Sequence, residues 1–194
     1  YEAFAQVWFG LAENDGFNQL VISSRLNWHE VTMLRAYARY FRQIGFNLSL
    51  QYIEQALVNN PGLAAVLVLI FKNRFDPSIE SRRTEDAIHL ERQLISGLDS
   101  VTSLDEDRII RFYLSAINAT LRTNFYQLSE DNQSKHYLSL KISSTDVPDM
   151  PLPIPAYEVF VYSPDFEGIH LRSSRVARGG IRWSDRLEDF RVEV

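Results

Sequence analysis

The feature that most constrains this chain is a change of hydrophobic period about two-thirds of the way along it. Up to about residue 125, apolar residues recur every three or four positions, the period of a helix with one buried face. From His136 to Ser144 they alternate instead, Leu138, Leu140 and Ile142 against Ser139, Lys141 and Ser143, the period of a half-buried strand. One element cannot serve both periods. The pattern therefore predicts an α+β chain, an N-terminal helical bundle followed by a small, mostly antiparallel sheet, divided into a helical domain over 1–130 and a β-rich segment over 131–194.

Within the helical part, residues with defined end-of-helix chemistry place the elements. A first helix over Tyr1–Glu13 closes at Asn14-Asp15-Gly16, residues that tolerate left-handed turns. A loop or short helix runs to Ser24. Asn27 followed by Glu30 has capping-box spacing, and the helix it opens carries Val31, Leu34, Tyr37, Phe41 and Ile44 on its core stripe. Arg35, Arg39 and Arg42 fall on the other face, and Gly45 ends it. Ser49 opens a short helix to Asn59, and Asn60-Pro61 starts the next with Pro in the first turn, where its missing N–H costs nothing. The run Leu63–Phe71 is apolar nearly all round, so this helix is expected to be the most buried. Further helices are predicted over Glu80–Leu98 and, from a second capping box at Ser103 and Glu106, to about Asn124, with Ile109, Phe112, Ala116, Ile117 and Leu121 inward.

After the first strand, Pro148, Pro151, Pro153 and Pro155 mark an extended connection, since each lacks the N–H a central strand needs. Tyr157–Tyr162 and Gly168–Arg172 then read as a hairpin around Ser163-Pro164-Asp165.

Composition narrows the function classes. A net charge of −5 argues against a chain that coats nucleic acid. With no cysteine, disulfides and thiolate metal sites are excluded, and a reducing cytoplasmic setting is the simpler expectation. The longest apolar run has nine residues, against about 20 for a membrane-spanning helix. His29, His89, His136 and His170 lack the i, i+4 pairing of a helical zinc site, so no metal site is expected. Glu13 with Asp15, and Glu85 with Asp86, read as solvated surface, and the tryptophans and tyrosines as packing rather than a base-stacking platform. Neither Tyr1 nor Val194 reads as a natural terminus, which suggests a fragment.

The densest chemical signal is the final stretch, where six arginines fall between Arg172 and Arg191 around Gly179-Gly180. Guanidinium forks present several donors to a carboxylate, and glycines let backbone N–H groups approach it closely; Asp185, Glu188 and Asp189 could instead pair these arginines on the surface. The glycine pair lacks the third glycine and the strand–turn–helix unit of a dinucleotide fingerprint. Ser184 with Asp185 resembles a helix start leading into Leu187–Val194.

Val176-Ala-Arg-Gly-Gly-Ile-Arg-Trp-Ser-Asp-Arg-Leu-Glu-Asp-Phe-Arg-Val-Glu-Val194 resembles the segment that opens the catalytic domain of the large, multidomain bacterial NAD-specific glutamate dehydrogenases. Ala12-Glu-Asn-Asp-Gly-Phe-Asn18, Leu34-Arg-Ala-Tyr-Ala38 and Tyr40-Phe-Arg-Gln-Ile-Gly-Phe46 resemble the helical region before that domain, so the resemblance covers essentially the whole chain. In smaller glutamate dehydrogenases the related motif is a basic residue, Gly-Gly, an aliphatic residue and Arg, which hold the substrate carboxylate. The resemblance thus implies that Arg178, Gly179, Gly180 and Arg182 bind substrate, with Arg178 standing where those enzymes have Lys. It implies oxidative deamination of L-glutamate with NAD and water to 2-oxoglutarate, ammonia and NADH, in a full-length enzyme expected to be a homo-oligomer with neither nucleic-acid nor membrane partners. The catalytic lysines and acid and the NAD-binding domain would lie beyond Val194. The chain is accordingly expected to support the active site, to carry no catalytic or cofactor-binding residue, and to be inactive alone. Rival readings are a helical oligomerisation module, a small-molecule-sensing regulatory module and, as a third, an anion-binding regulatory module using the arginine cluster.

Overall fold

The computed structural model describes residues 2–79, 83–130 and 132–173. Among them the order is α1 (Glu2–Trp8), a 3-10 turn (Gly16–Gln19), α2 (Leu20–Ser23), α3 (Trp28–Gln43), α4 (Leu50–Asn59), α5 (Pro61–Phe75), α6 (Arg83–Leu98) and α7 (Leu104–Ala119). Then follow β1 (Thr120–Thr123), β2 (Leu138–Ser143), a second 3-10 turn (Ser144–Asp146), β3 (Tyr157–Tyr162) and β4 (Glu167–Arg172). The strands form one antiparallel meander in the order β1-β2-β3-β4, so the α+β expectation holds.

Local end chemistry places most elements as the sequence predicts. Asn27 Oδ1 accepts from the Glu30 N–H and Glu30 Oε2 accepts from the Asn27 N–H, both at 2.9 Å, closing the capping box of α3. At its other end Gly45 takes φ 78°, with the Gly45 N–H donating to Arg42 O and the Phe46 N–H to Phe41 O, a Schellman motif. Ser49 caps α4 through the Tyr52 N–H, and Pro61 opens α5.

Four expectations need correction. The first helix stops at Trp8 rather than Glu13, because Gly10 at φ 70° closes a Schellman turn with Leu11 N–H on Gln6 O. The last helix ends at Ala119, not Asn124: the β-branched Thr120 and Thr123 pair with β2, and strand pairing outcompetes another helical turn. Leu121, expected in the core stripe, is 44% exposed on that edge strand. Finally, α3 and not α5 is the most buried helix, with ten of sixteen residues buried against seven of fifteen, because Leu69 of the apolar run faces outward. Residues 80–82, the expected start of α6, lie outside the described residues.

The core is a single contiguous cluster to which helices and sheet both contribute. Phe41 of α3 packs edge-on against Phe112 and Tyr113 of α7 at 4.8 Å, and Leu138, Leu140, Ile142, Phe160 and Tyr162 extend it into the sheet. Among the described residues no single helix is long and apolar enough to cross a membrane.

Candidate functional site

The sequence-predicted site residues Arg178, Gly179, Gly180 and Arg182 lie outside the described residues, as do the helix start at Ser184 and Leu187–Val194. The chain is described up to Ser173: β4 pairs with β3 from Glu167 opposite Tyr162 to Arg172 opposite Tyr157. What fixes that hairpin is a polar junction with α3.

Arg35 is fully buried, and its guanidinium meets Asp15 on both carboxylate oxygens, at 2.6 and 2.8 Å, and Asn18 Oδ1 at 3.0 Å. Asp15 is locked in turn as the cap of the 3-10 turn, accepting the Phe17 N–H. One helical turn on, Arg39 pairs with Glu13, whose other oxygen accepts the Tyr162 hydroxyl at 2.7 Å. Tyr40, also fully buried, donates its hydroxyl to Glu158 and packs its ring on Phe160. Gln43 Nε2 donates to Glu167 at 2.7 Å. Glu158, Phe160 and Tyr162 share the inner face of β3 because strand residues alternate, so one face of α3 meets one face of the hairpin.

Electrostatics make this junction a clamp rather than a proton-transfer set. Burial opposes the charge on Arg35, but the hydrogen bond and charge of Asp15, with Tyr162 and Glu13 nearby, raise its pKa above the ordinary value. Burial also raises the Tyr162 phenol; Arg35 opposes this and Glu13 adds to it, so the hydroxyl remains a donor. Burial, followed by the charge of Asp15, raises Glu54, which accepts the Gly16 N–H behind the pair.

The junction corrects two sequence expectations. The face of α3 bearing Arg35 and Arg39 is not solvated; only Arg42 is exposed. Glu13 and Asp15 are not free surface acids but the partners of those arginines. A signal was available: Ala36, Ala38 and Tyr40 stand where a solvated face would carry long polar side chains, and all three are buried.

Two further concavities are described. A cavity of about 20 Å3 lined by Trp28, His29, Lys135, His136, Tyr162 and others is large enough for one water. Its His29 stacks on Phe125 at 4.0 Å, and burial lowers its pKa to about 4 despite Glu30. An open groove of about 370 Å3 between α5 and α6 is lined by Asn60, Pro61, Leu63, Val66, Gln93 and Gly97 among others, none of them titratable. Among the described residues no three His, Cys, Asp or Glu are grouped to hold a metal ion.

Residues 12–77 match the family model for glutamate dehydrogenase, helical motif 3, and residues 93–194 match that for bacterial NAD-glutamate dehydrogenase, catalytic domain. The second match begins inside α6, so the polar junction joins the two matched regions: Glu13, Asp15, Arg35, Arg39, Tyr40 and Gln43 from the first, Glu158, Tyr162 and Glu167 from the second. Over its whole length the chain is 50% identical to NAD-specific glutamate dehydrogenases of Halomonas elongata and Pseudomonas aeruginosa, and 44% identical to that of Mycobacterium tuberculosis. It spans about 12% of the length of each of these relatives. With more than half of its residues inside the catalytic-domain match and the helical motif keyed onto that part by buried polar contacts, the chain belongs to the bacterial NAD-glutamate dehydrogenase family.

Proposed function

We propose that this chain is part of an NAD-dependent glutamate dehydrogenase and that Arg178, Gly179, Gly180 and Arg182 hold the substrate carboxylate in it. The observation that carries the reading is the basic-Gly-Gly-aliphatic-Arg sequence inside the region matching the catalytic-domain family. Arg178 supplies the fork for a carboxylate, and the glycine pair lets backbone N–H groups approach the same anion. The substrate pair is L-glutamate and 2-oxoglutarate, and NAD supplies the hydride acceptor. NAD is assigned to a part of the enzyme outside these residues, since the relatives are NAD-specific and the chain spans about 12% of their length. Residues 1–130 act as helical support and 131–194 as the lead-in to catalysis, without turnover by this chain alone; the full-length enzyme is a homo-oligomer.

The test is NAD-dependent glutamate oxidation by the full-length enzyme, natural against Arg178→Ala at equal, verified folding. A rise in the glutamate KM of about 100-fold, the size of a lost charge-assisted contact, is expected. Unchanged kinetics would make the arginine cluster structural.

An interaction role is favoured by one separate observation: Phe4, Trp8 and Phe9 are 69%, 75% and 73% exposed, with Phe4 stacked on Trp8. Association that rises with concentration in the 194-residue chain and disappears in Trp8→Ser would support that reading.

A further inference from the structure

We propose that Tyr40 and Glu158 are positioning residues for the substrate-binding segment, setting the point at which the chain leaves β4 toward Arg178. The proposal rests on the reading of Arg178 as a substrate ligand.

The register of the sheet carries the argument. Glu158 stands opposite Leu171, one residue before β4 ends at Arg172, and six further residues lead to Arg178. A chain of that length reaches at most about 20 Å, so the place where β4 ends bounds where Arg178 can lie. Glu158 is fully buried on the inner face of β3, and the Tyr40 hydroxyl, itself fully buried on α3, donates to it. The contact therefore ties the exit end of the hairpin to the helix with the most buried residues. The opposite, turn end is held separately, by Tyr162 on Glu13 and by Gln43 on Glu167. Tyr162 lies four positions after Glu158, about 13 Å of strand, so the two anchors fix the orientation of β3 on α3 as well as its position. An apolar contact of equal area would fix the distance between helix and strand while leaving rotation and sliding soft, because hydrophobic burial is non-directional.

A matched control exists in the same helix. Tyr37 is also fully buried, and its hydroxyl shares a 2.7 Å hydrogen bond with Thr120 of β1, at the opposite edge of the sheet. Tyr40→Phe and Tyr37→Phe each remove one buried hydroxyl contact from α3, and only the first lies on the path to Arg178.

The experiment compares natural full-length enzyme, Tyr40→Phe, Tyr37→Phe and Arg178→Ala in steady-state glutamate oxidation, with thermal unfolding of each. Tyr40→Phe is expected to raise the glutamate KM roughly tenfold while leaving the NAD KM unchanged, since small misplacements of binding groups weaken contacts steeply. Tyr37→Phe is expected to lower the unfolding temperature without that selective rise. If Tyr40→Phe does not fold, Glu158→Gln carries the test: its uncharged oxygen still accepts the hydroxyl, more weakly, and a smaller selective rise is expected. A Tyr40→Phe enzyme whose KM matches that of Tyr37→Phe, beside an Arg178→Ala enzyme with a raised KM, would overturn the positioning role and leave the substrate reading intact. An unchanged KM in Arg178→Ala would remove the substrate reading, and the positioning role with it.

Discussion

Breaking the Arg35–Asp15 pair should be the most costly single polar change in this chain. Arg35→Met keeps most of the side-chain volume while removing the two short bonds to Asp15 and the one to Asn18. Asp15 keeps its bond from the Phe17 N–H, but its carboxylate, 14% exposed, loses its counter-charge in a site water barely reaches. Removing one partner of a buried pair costs about 3–5 kcal/mol, because the surviving charge stays desolvated. Asp15→Asn should cost less, since an amide oxygen can still accept one guanidinium bond. In the double variant no charge is stranded, so its cost should fall short of the sum by about 2–3 kcal/mol, the coupling of the pair. Urea unfolding of the four proteins, read by far-ultraviolet circular dichroism, gives the cycle. Arg111–Asp107, an exposed i, i+4 pair on α7, serves as the contrast and should couple by no more than about 0.5 kcal/mol. A coupling for Arg35–Asp15 as small as that of the surface pair would refute the reasoning, as would an Arg35→Met protein as stable as the natural one.

Other consequences are smaller but as definite. Burial holds the folded His29 pKa near 4, below its ordinary 6.5, so the stability it contributes as a neutral ring is complete above about pH 6.5 and is lost as the pH falls toward 4, by at most about 3 kcal/mol. His29→Phe keeps the stack on Phe125 and should flatten the stability–pH curve in that window relative to the natural protein; parallel curves from pH 7 to about 4.5 would contradict the assignment. Gly45→Ala should destabilise by about 1 kcal/mol, since φ 78° is strained for any residue with a Cβ, whereas Gly62→Ala, inside α5 with open space around its Cβ, should stabilise by a few tenths to about 1 kcal/mol. Chemical denaturation of the two variants reads the opposite signs directly.

What was legible in the sequence is what neighbours in the chain decide. Asn27 with Glu30, Ser49, Pro61 and Gly45 announce helix ends through bonds spanning at most a turn, and Leu138, Leu140 and Ile142 announce a strand through its period of two. The hairpin around Ser163-Pro164-Asp165 is legible for the same reason. What escaped depends on partners far away in sequence. Nothing near Arg35 says that Asp15, twenty residues earlier, will meet it, and nothing near Thr120 says that β2 will offer a ladder to stop α7. The sequence of α5 overstates its burial because an all-round apolar run states what a helix can bury, not how much neighbouring surface will cover it.

The polar junction is best understood from what hydrophobic contact alone leaves undetermined. The region matching the helical motif and the region matching the catalytic domain share one apolar core, and burial of that core supplies cohesion. Cohesion of this kind tolerates small sliding of α3 over the sheet, because one apolar contact substitutes for another at nearly the same free energy. Directional bonds from Tyr40, Gln43 and the Glu13–Arg39 pair to three separate points on the hairpin do not tolerate it, since a shift of one or two ångströms breaks them. Buried charges such as Arg35 are weak contributors to stability compared with apolar residues of the same size. Their presence in the most buried helix therefore fits a demand for alignment rather than for stability, the demand that the proposed substrate-binding role of Arg178 would place on the hairpin.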